Sequence, residues 1–335
     1  MSSSPSNRLA GSLLGLALGD ALGSVVEARP AEDAQRYVEE YLRAGRAGER
    51  GFAEFSFGQY SDDTQLTREL LISLAEQGRL DPEDYAGRIA ILVRDDRLIR
   101  GGRATTASAR RILAGVAWDR AGEPPPYAGN GAAMRSGPLG ALWPEDLERV
   151  REAALQQARV THLDPRAAAG SVAIAGAAAL AARRAPLDPI AFLQELRALV
   201  QPVEGEMAAS IGRIAGSLAL PVTEASRHLA QSGVEPGGLV RWLGISSLVT
   251  TSVCWSLYSF LRSPDDYWQT LCTAIEVGGD TDTVASMAGS IAGARSGLAA
   301  LPTQLIGRLN DRGEWDGLAL QALAIRCAER MAVRP

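Results

Sequence analysis

The segment Leu9-Ala10-Gly11-Ser12-Leu13-Leu14-Gly15-Leu16-Ala17-Leu18-Gly19-Asp20-Ala21-Leu22-Gly23 repeats glycine at every fourth position. In a helix, residues four apart share one face, so these glycines form a smooth stripe along which another backbone can approach closely. Each glycine costs a helix interior roughly 1 kcal/mol relative to alanine. Four in one helix therefore require a compensating contact, and tight packing against a neighbouring helix is the expected one. Asp20 lies mid-helix on the glycine face, and its expected role is a bond to a neighbouring helix or loop rather than metal ligation.

Outward from this segment, helical periodicity dominates, predicting helices over 64–77, 104–113, 145–160, 166–183, 190–200, 239–260, 265–276, 284–297 and 317–333. Period-2 strands bounded by hairpin signals are absent from the sequence. Gly, Pro and Asn concentrate in short connectors, including 122–131 with its Pro124-Pro125-Pro126 run, and 232–238. No repeat of fixed 20-to-50-residue period stands out. The expected architecture is all-α, a single compact domain over 7–335 behind a disordered, Ser-rich tail at 1–6.

Composition narrows the chemistry. The formal charge is -5, with 34 basic residues scattered rather than striped, which argues against sequence-independent nucleic-acid binding. Three widely spaced cysteines, Cys254, Cys272 and Cys327, form no C-x-x-C pair, and the N-terminus lacks a signal-peptide pattern. Both features point to a reducing cytoplasm. The Ala- and Gly-rich run 167–182 is too short and too weakly apolar to span a bilayer comfortably and reads as a buried helix, so no membrane partner is expected. Only His162 and His228 are present, so a histidine-rich zinc site is excluded. Any metal must be a hard cation held by oxygen.

Two motifs suit such a cation. Ser61-Asp62-Asp63-Thr64 directly precedes the apolar-periodic Leu66, Leu70, Leu71 and Leu74. Ser61 is placed as an N-cap, and acids in the first turn suit the positive end of a helix, so capping alone explains this motif if it stands by itself. Gly278-Gly279-Asp280-Thr281-Asp282-Thr283 opens the second predicted helix start. Residues two apart diverge on a helix but converge from a turn, and the two glycines permit that turn. Two oxygen-dense helix starts in one chain point to a shared cation. Four clustered carboxylates repel one another, and two divalent cations balance them.

In order along the chain stand Gly19-Asp20-Ala21-Leu22-Gly23 followed by Glu27, Ser61-Asp62-Asp63-Thr64, Gly129-Asn130-Gly131-Ala132-Ala133-Met134-Arg135, Thr161-His162, and Gly278-Gly279-Asp280-Thr281-Asp282-Thr283. With these five motifs the chain resembles the ADP-ribosylglycohydrolase family over nearly its whole length. The resemblance implies an all-α fold with two Mg2+ or Mn2+ in a cleft at helix ends. It implies Ser61, Asp62, Asp63, Asp280, Asp282 and Thr283 as metal ligands, and Glu27 and Asp63 as catalytic carboxylates. Gly129, Asn130, Gly131, Met134, Arg135 and His162 would bind substrate. Turn-making explains Gly-Asn-Gly about as well, and His162 also suits a structural role.

The implied activity is hydrolysis of the N- or O-glycosidic bond between the distal ribose of ADP-ribose and an acceptor. The partner is then an ADP-ribosylated protein or other acceptor, and ADP-ribose is the product. Arginine, serine, a nucleic-acid end and O-acetyl-ADP-ribose all remain open as acceptors. Some members place an additional aspartate in the loop that corresponds to Arg100-Gly101-Gly102-Arg103-Ala104-Thr105-Thr106; this chain has none between Arg97 and Arg111. That departs from the dinitrogenase-reductase branch and its arginine-linked substrate. Two rival readings are a non-catalytic ADP-ribose-binding or structural protein on the same fold, and an isoprenoid-synthase-like magnesium enzyme. The latter fits poorly, because Thr64, Gln65 and Leu66 follow Asp63 where a further acid is needed and aromatics are only 5%.

Overall fold

The computed structural model describes residues 4–183, 186–234 and 243–332, and among these every extended regular element is helical. The first half holds α1 Pro5–Gly23, α2 Ala31–Tyr37, α3 Asp62–Gln77, α4 Pro82–Arg94, α5 Arg103–Leu113, α6 Trp118–Ala121, α7 Gly137–Leu142 and α8 Leu147–Arg159. The second half holds α9 Pro165–Ala182, α10 Pro189–Val200, α11 Gly205–Arg213, α12 Val222–Leu229, α13 Val249–Arg262, α14 Tyr267–Ile275, α15 Thr281–Ser296, α16 Thr303–Ile306 and α17 Gly317–Ala332. Only isolated bridges, such as Ile245 with Gly279, interrupt this pattern.

The glycine stripe of α1 sets the centre. A Cβ on Gly11 would lie 2.3 Å from the carbonyl oxygen of Gly293, one on Gly15 2.4 Å from Gly289 O, and one on Gly19 2.2 Å from Ala285 O. The partners descend by four as the glycines ascend by four, so α1 and α15 run antiparallel with their backbones in contact. The last step brings Gly23 against Thr281, whose hydroxyl donates to Gly23 O at 2.8 Å. The end of α1 is thereby fixed at the start of α15.

Around this pair, α9, α13 and α14 pack against α15, while α3, α7 and α17 pack against α1. By length and hydropathy α1 and α9 pass as membrane spans, which for α9 exceeds what its Ala- and Gly-rich run implied, yet both are enclosed by protein, 94% and 83% buried over their most apolar stretches. Small or apolar residues on every face suit a helix surrounded by other helices.

Three expectations change. The helix α1 begins at Pro5, inside the tail expected at 1–6, because Ser4 caps it by accepting from Asn7 N and proline suits the first turn. The helix expected over 239–260 starts at Val249; 239–242 lie outside the described residues, and 243–248 spends its backbone sideways. Ile245 N donates to Gly278 O at 3.1 Å and Asp280 N donates to Ile245 O at 2.8 Å. Helices α2, α4, α6, α7, α11, α12 and α16 arise where none was expected, although Asp81 before Pro82-Glu83-Asp84 is a cap signal present in the sequence.

Candidate metal centre

Asp62 and Asp63 open α3, and their placement starts from α1. The Asp20 carboxylate, fully buried, accepts from Ser61 N at 3.0 Å, Thr64 N at 3.1 Å and Thr64 Oγ1 at 2.6 Å. Those donors bracket the two aspartates, so the expected bond from Asp20 to a neighbouring element is the one that seats the motif. Asp62 Oδ2 accepts from Gly102 N at 3.2 Å. Asp63 Oδ2 lies 3.3 Å from Ser61 Oγ, while Asp63 Oδ1 is buried with no hydrogen-bond partner.

Asp280 and Asp282 come from the other side, at the start of α15. Gly278 and Gly279 hold φ at +72° and +90°, the left-handed region open to glycine. A Cβ on Gly279 would also lie 2.1 Å from Ile245 O. The turn they make aims Asp280 into the cleft, where Asn130 Nδ2 donates to Asp280 Oδ2 at 2.6 Å. Asp282 Oδ1 accepts from Thr283 N at 2.8 Å. Glu27 follows the short turn Ser24–Val26 after α1. Glu27, Asp280 and Asp282 each present an oxygen within 4.8 Å of the others.

A cavity of about 190 Å³ joins these residues, lined by Asp62, Asp63, Asp280, Asp282, Thr283 and Glu27 together with Gly129, Asn130, Gly131, Met134 and His162. Two expected site residues are absent from its wall. Ser61 is fully buried behind Asp63, and its hydroxyl serves as the N-cap of α3. Arg135 is also fully buried and turns inward, donating to Gly131 O at 2.7 Å, Gln157 Oε1 at 2.7 Å and Thr161 Oγ1 at 2.8 Å. It braces the Gly129-Asn130-Gly131 loop from behind. Arg100, Thr105, Tyr127 and Ser247 line the cavity without having been singled out as site residues. The glycine pair after Arg100 marked a loop, and nothing local revealed which way its side chain turns.

Electrostatics agrees with a cation site. Burial pushes Asp62, Asp63 and Asp282 well above the usual carboxylate range, and mutual repulsion with neighbouring carboxylates adds to it. Asp280 is pushed up to about 7 by burial and then by Asp282. Glu27 is raised by burial, against the lowering effect of Arg100. Such a cluster is unfavourable with protein groups alone, and an orphaned oxygen at Asp63 faces it. Carboxylate and hydroxyl oxygens are what magnesium or manganese takes, so the residues fit hard divalent cations. Burial, and then Arg135, pushes His162 down to about 3, so it stands in the wall as a neutral imidazole. Its Nδ1 pairs with Thr161 Oγ1 at 2.8 Å.

Comparison with known proteins adds to this geometry. A model of the ADP-ribosylglycohydrolase family matches residues 1–333. The chain is 28% identical to ADP-ribosylhydrolase ARH3 of Gallus gallus, over 89% of this chain and 88% of that protein. It is 29% identical to the ADP-ribosyl-[dinitrogen reductase] glycohydrolase of Rhodospirillum rubrum, over 92% of each. A solved structure described as an ADP-ribosylglycohydrolase-related protein complex superposes with a TM-score of 0.72 at 26% identity, covering 98% of this chain and 99% of that one.

Proposed function

The chain belongs to the ADP-ribosylglycohydrolase family, and on that premise we propose that it is a divalent-metal-dependent hydrolase that cuts ADP-ribose from an acceptor. The observation that carries the reading is the meeting of two acidic helix starts in one cleft, with Asp63 Oδ1 buried and unpartnered there. Asp62, Asp63, Asp280, Asp282 and Thr283 would hold two Mg2+ or Mn2+. When bound, these ions supply Lewis acidity toward the ribose hydroxyls and an acidified water.

The chain's own groups account for the remaining requirements. Gly129 and Gly131 leave backbone exposed beside the cleft, suited to close approach by the oxygen-rich diphosphate. Asn130, held to Asp280, couples that loop to the carboxylates. His162 and Met134 close the same wall. In the reaction, water oxygen bonds to the anomeric carbon while the bond to the acceptor breaks with its electron pair going to the acceptor, which takes up a proton. Glu27 and Asp63 are the carboxylates proposed to move protons for the oxocarbenium-like centre. The three cysteines are buried free thiols, which suits the proposed cytoplasmic location.

The test is to incubate the protein and magnesium or manganese with a panel of defined ADP-ribosylated substrates and measure free ADP-ribose. Release that disappears with chelator is the expected result. Binding of ADP-ribose with no release from any substrate would leave a binding protein on this fold.

A further inference from the structure

The cleft wall has two chemically distinct parts. Around His162 the wall is ring and bare backbone: Cβ atoms on Gly129 and Gly131 would come within 3.5 and 3.2 Å of the imidazole, and Tyr127 lies 6.0 Å from it, ring to ring. In the other part Glu27 is ion-paired with Arg100. Arg100 Nη1 also lies 3.8 Å from Asp282 Oδ2, and its guanidinium sits 4.8 Å from the centre of the Phe52 ring.

Arg100 is held in this position. Its φ is +58°, in the left-handed region that non-glycine residues seldom occupy. The backbone on both sides is tied to the acidic motif, since Asp62 N donates to Ile99 O at 2.9 Å and Gly102 N donates to Asp62 Oδ2 at 3.2 Å. The loop therefore presents a positive charge beside Glu27 and Asp282. With two divalent cations bound, Arg100 supplies the one further positive charge that balances Asp62, Asp63, Asp280, Asp282 and Glu27.

Resting on the hydrolase reading above, a nucleotide along Gly129-Asn130-Gly131 with its distal ribose at the carboxylates sends the acceptor past Glu27, toward Arg100. We propose that Arg100 is a specificity-determining residue that disfavours cationic acceptors, so that the cleft admits ADP-ribose joined through oxygen to a neutral hydroxyl acceptor and discriminates against ADP-ribose joined to an arginine guanidinium. A guanidinium entering there meets another guanidinium and finds no unbalanced carboxylate. Repulsion of this kind sets specificity as effectively as a new attraction. An oxygen-linked acceptor instead offers lone pairs to the Arg100 donors.

The experiment compares ADP-ribose release from a serine-linked and an arginine-linked ADP-ribosyl peptide of otherwise identical sequence, in saturating magnesium. Wild type, Arg100→Gln and Arg100→Lys are assayed, with calorimetric ADP-ribose affinity as a readout independent of turnover. Wild type is expected to prefer the serine-linked peptide by about tenfold or more, equivalent to about 1.4 kcal/mol. Arg100→Gln should lose most of that ratio and Arg100→Lys, which keeps the charge, should retain it, with ADP-ribose still bound by all three. A wild-type preference for the arginine-linked peptide, or an unchanged ratio in Arg100→Gln, overturns the inference while leaving the hydrolase reading in place. Should Arg100→Gln fail to fold, Arg100→Met takes its place, and the wild-type ratio by itself remains decisive against the idea. No release from either peptide by any of the proteins overturns the hydrolase reading and this inference together.

Discussion

Asp20 accepts the hydroxyl of Thr64 at 2.6 Å, a contact between the last turn of α1 and the first turn of α3. The same carboxylate takes the N–H groups of Ser61 and Thr64, so one buried side chain orders the backbone on both sides of Asp62 and Asp63. Asp20→Ala leaves these buried donors unpaired, and each costs about 1–3 kcal/mol when its partner is removed. A loss of about 3 kcal/mol in urea unfolding, accompanied by weaker magnesium binding, is the expected result. Weaker binding with unchanged stability would mean that Asp20 acts on the cations and not through the backbone.

The antiparallel contact of α1 with α15 has its own test. Gly15→Ala places a methyl 2.4 Å from Gly289 O, and overpacking a tight contact costs about 1–3 kcal/mol. Because the same two helices bring Glu27 to Asp280 and Asp282, metal affinity should fall with stability. Gly87, in α4 with nothing within 4 Å of an added Cβ, serves as the control. Gly87→Ala should stabilise by about 0.5–1 kcal/mol. Equal effects at the two sites would remove the argument that backbone proximity demands the glycine.

What the sequence made legible was local. A four-residue glycine period and acids at helix starts are signals carried by neighbours along the chain, and both correspond to helices seen in the fold. That Asp62 and Asp280 share a cleft depends on α1 contacting both α3 and α15, a fact of tertiary packing that periodicity cannot express. Arg135 was expected at the substrate, but sequence adjacency to Gly131 says nothing of side-chain direction, and its guanidinium turns inward to Gly131 O, Gln157 and Thr161. Arg100 was passed over for the same reason. The stretch 243–248 fell inside a segment whose periodicity predicts a helix, yet its backbone bonds to Gly278 and Asp280.

Acidity offers a third prediction, with its sign fixed by burial. Asp280 at about 7, and Asp62, Asp63 and Asp282 raised well above their ordinary value of 3.8, bind protons more tightly in the folded protein than in the unfolded chain. In the metal-free protein the stability that these four carboxylates contribute is therefore full below the unfolded carboxylate value and is lost as pH rises through the range up to about 7. Magnesium or manganese replaces the protons. At one hundred times its dissociation constant a cation adds about 2.7 kcal/mol. The gap in melting temperature between metal-loaded and chelated protein should widen from about pH 5 to about pH 8. A gap that is constant or narrows over that range contradicts the cluster as a cation site.

Arg135 should behave as a brace and not as a substrate contact. Its guanidinium is buried and forked across Gly131 O, Gln157 and Thr161, and lysine cannot reproduce that planar set of donors. Arg135→Lys is expected to cost about 2–4 kcal/mol of stability, in the range for breaking buried charged hydrogen bonds. A variant with full stability and selectively lost ADP-ribose affinity would return Arg135 to the binding surface.

Glu27 provides the last and sharpest prediction, because geometry and chemistry meet at one atom pair. It follows the turn Ser24–Val26, and Ala28 N donates to Gly279 O at 2.8 Å, so the carboxylate is delivered beside Asp280 and Asp282. Burial raises its pKa while the Arg100 guanidinium beside it opposes the rise. Glu27→Gln preserves volume and hydrogen-bonding reach but removes the ionisable group. If Glu27 moves a proton in the reaction, turnover should fall by about 10²-fold or more, the usual size of a general acid-base contribution. The affinity for ADP-ribose should change far less, since the nucleotide is proposed to lie along Gly129-Asn130-Gly131. Comparing turnover with calorimetric binding separates the two roles. If turnover stayed within about twofold of wild type, proton transfer would have to be assigned to Asp63 or another group, because a catalytic proton carrier is not dispensable.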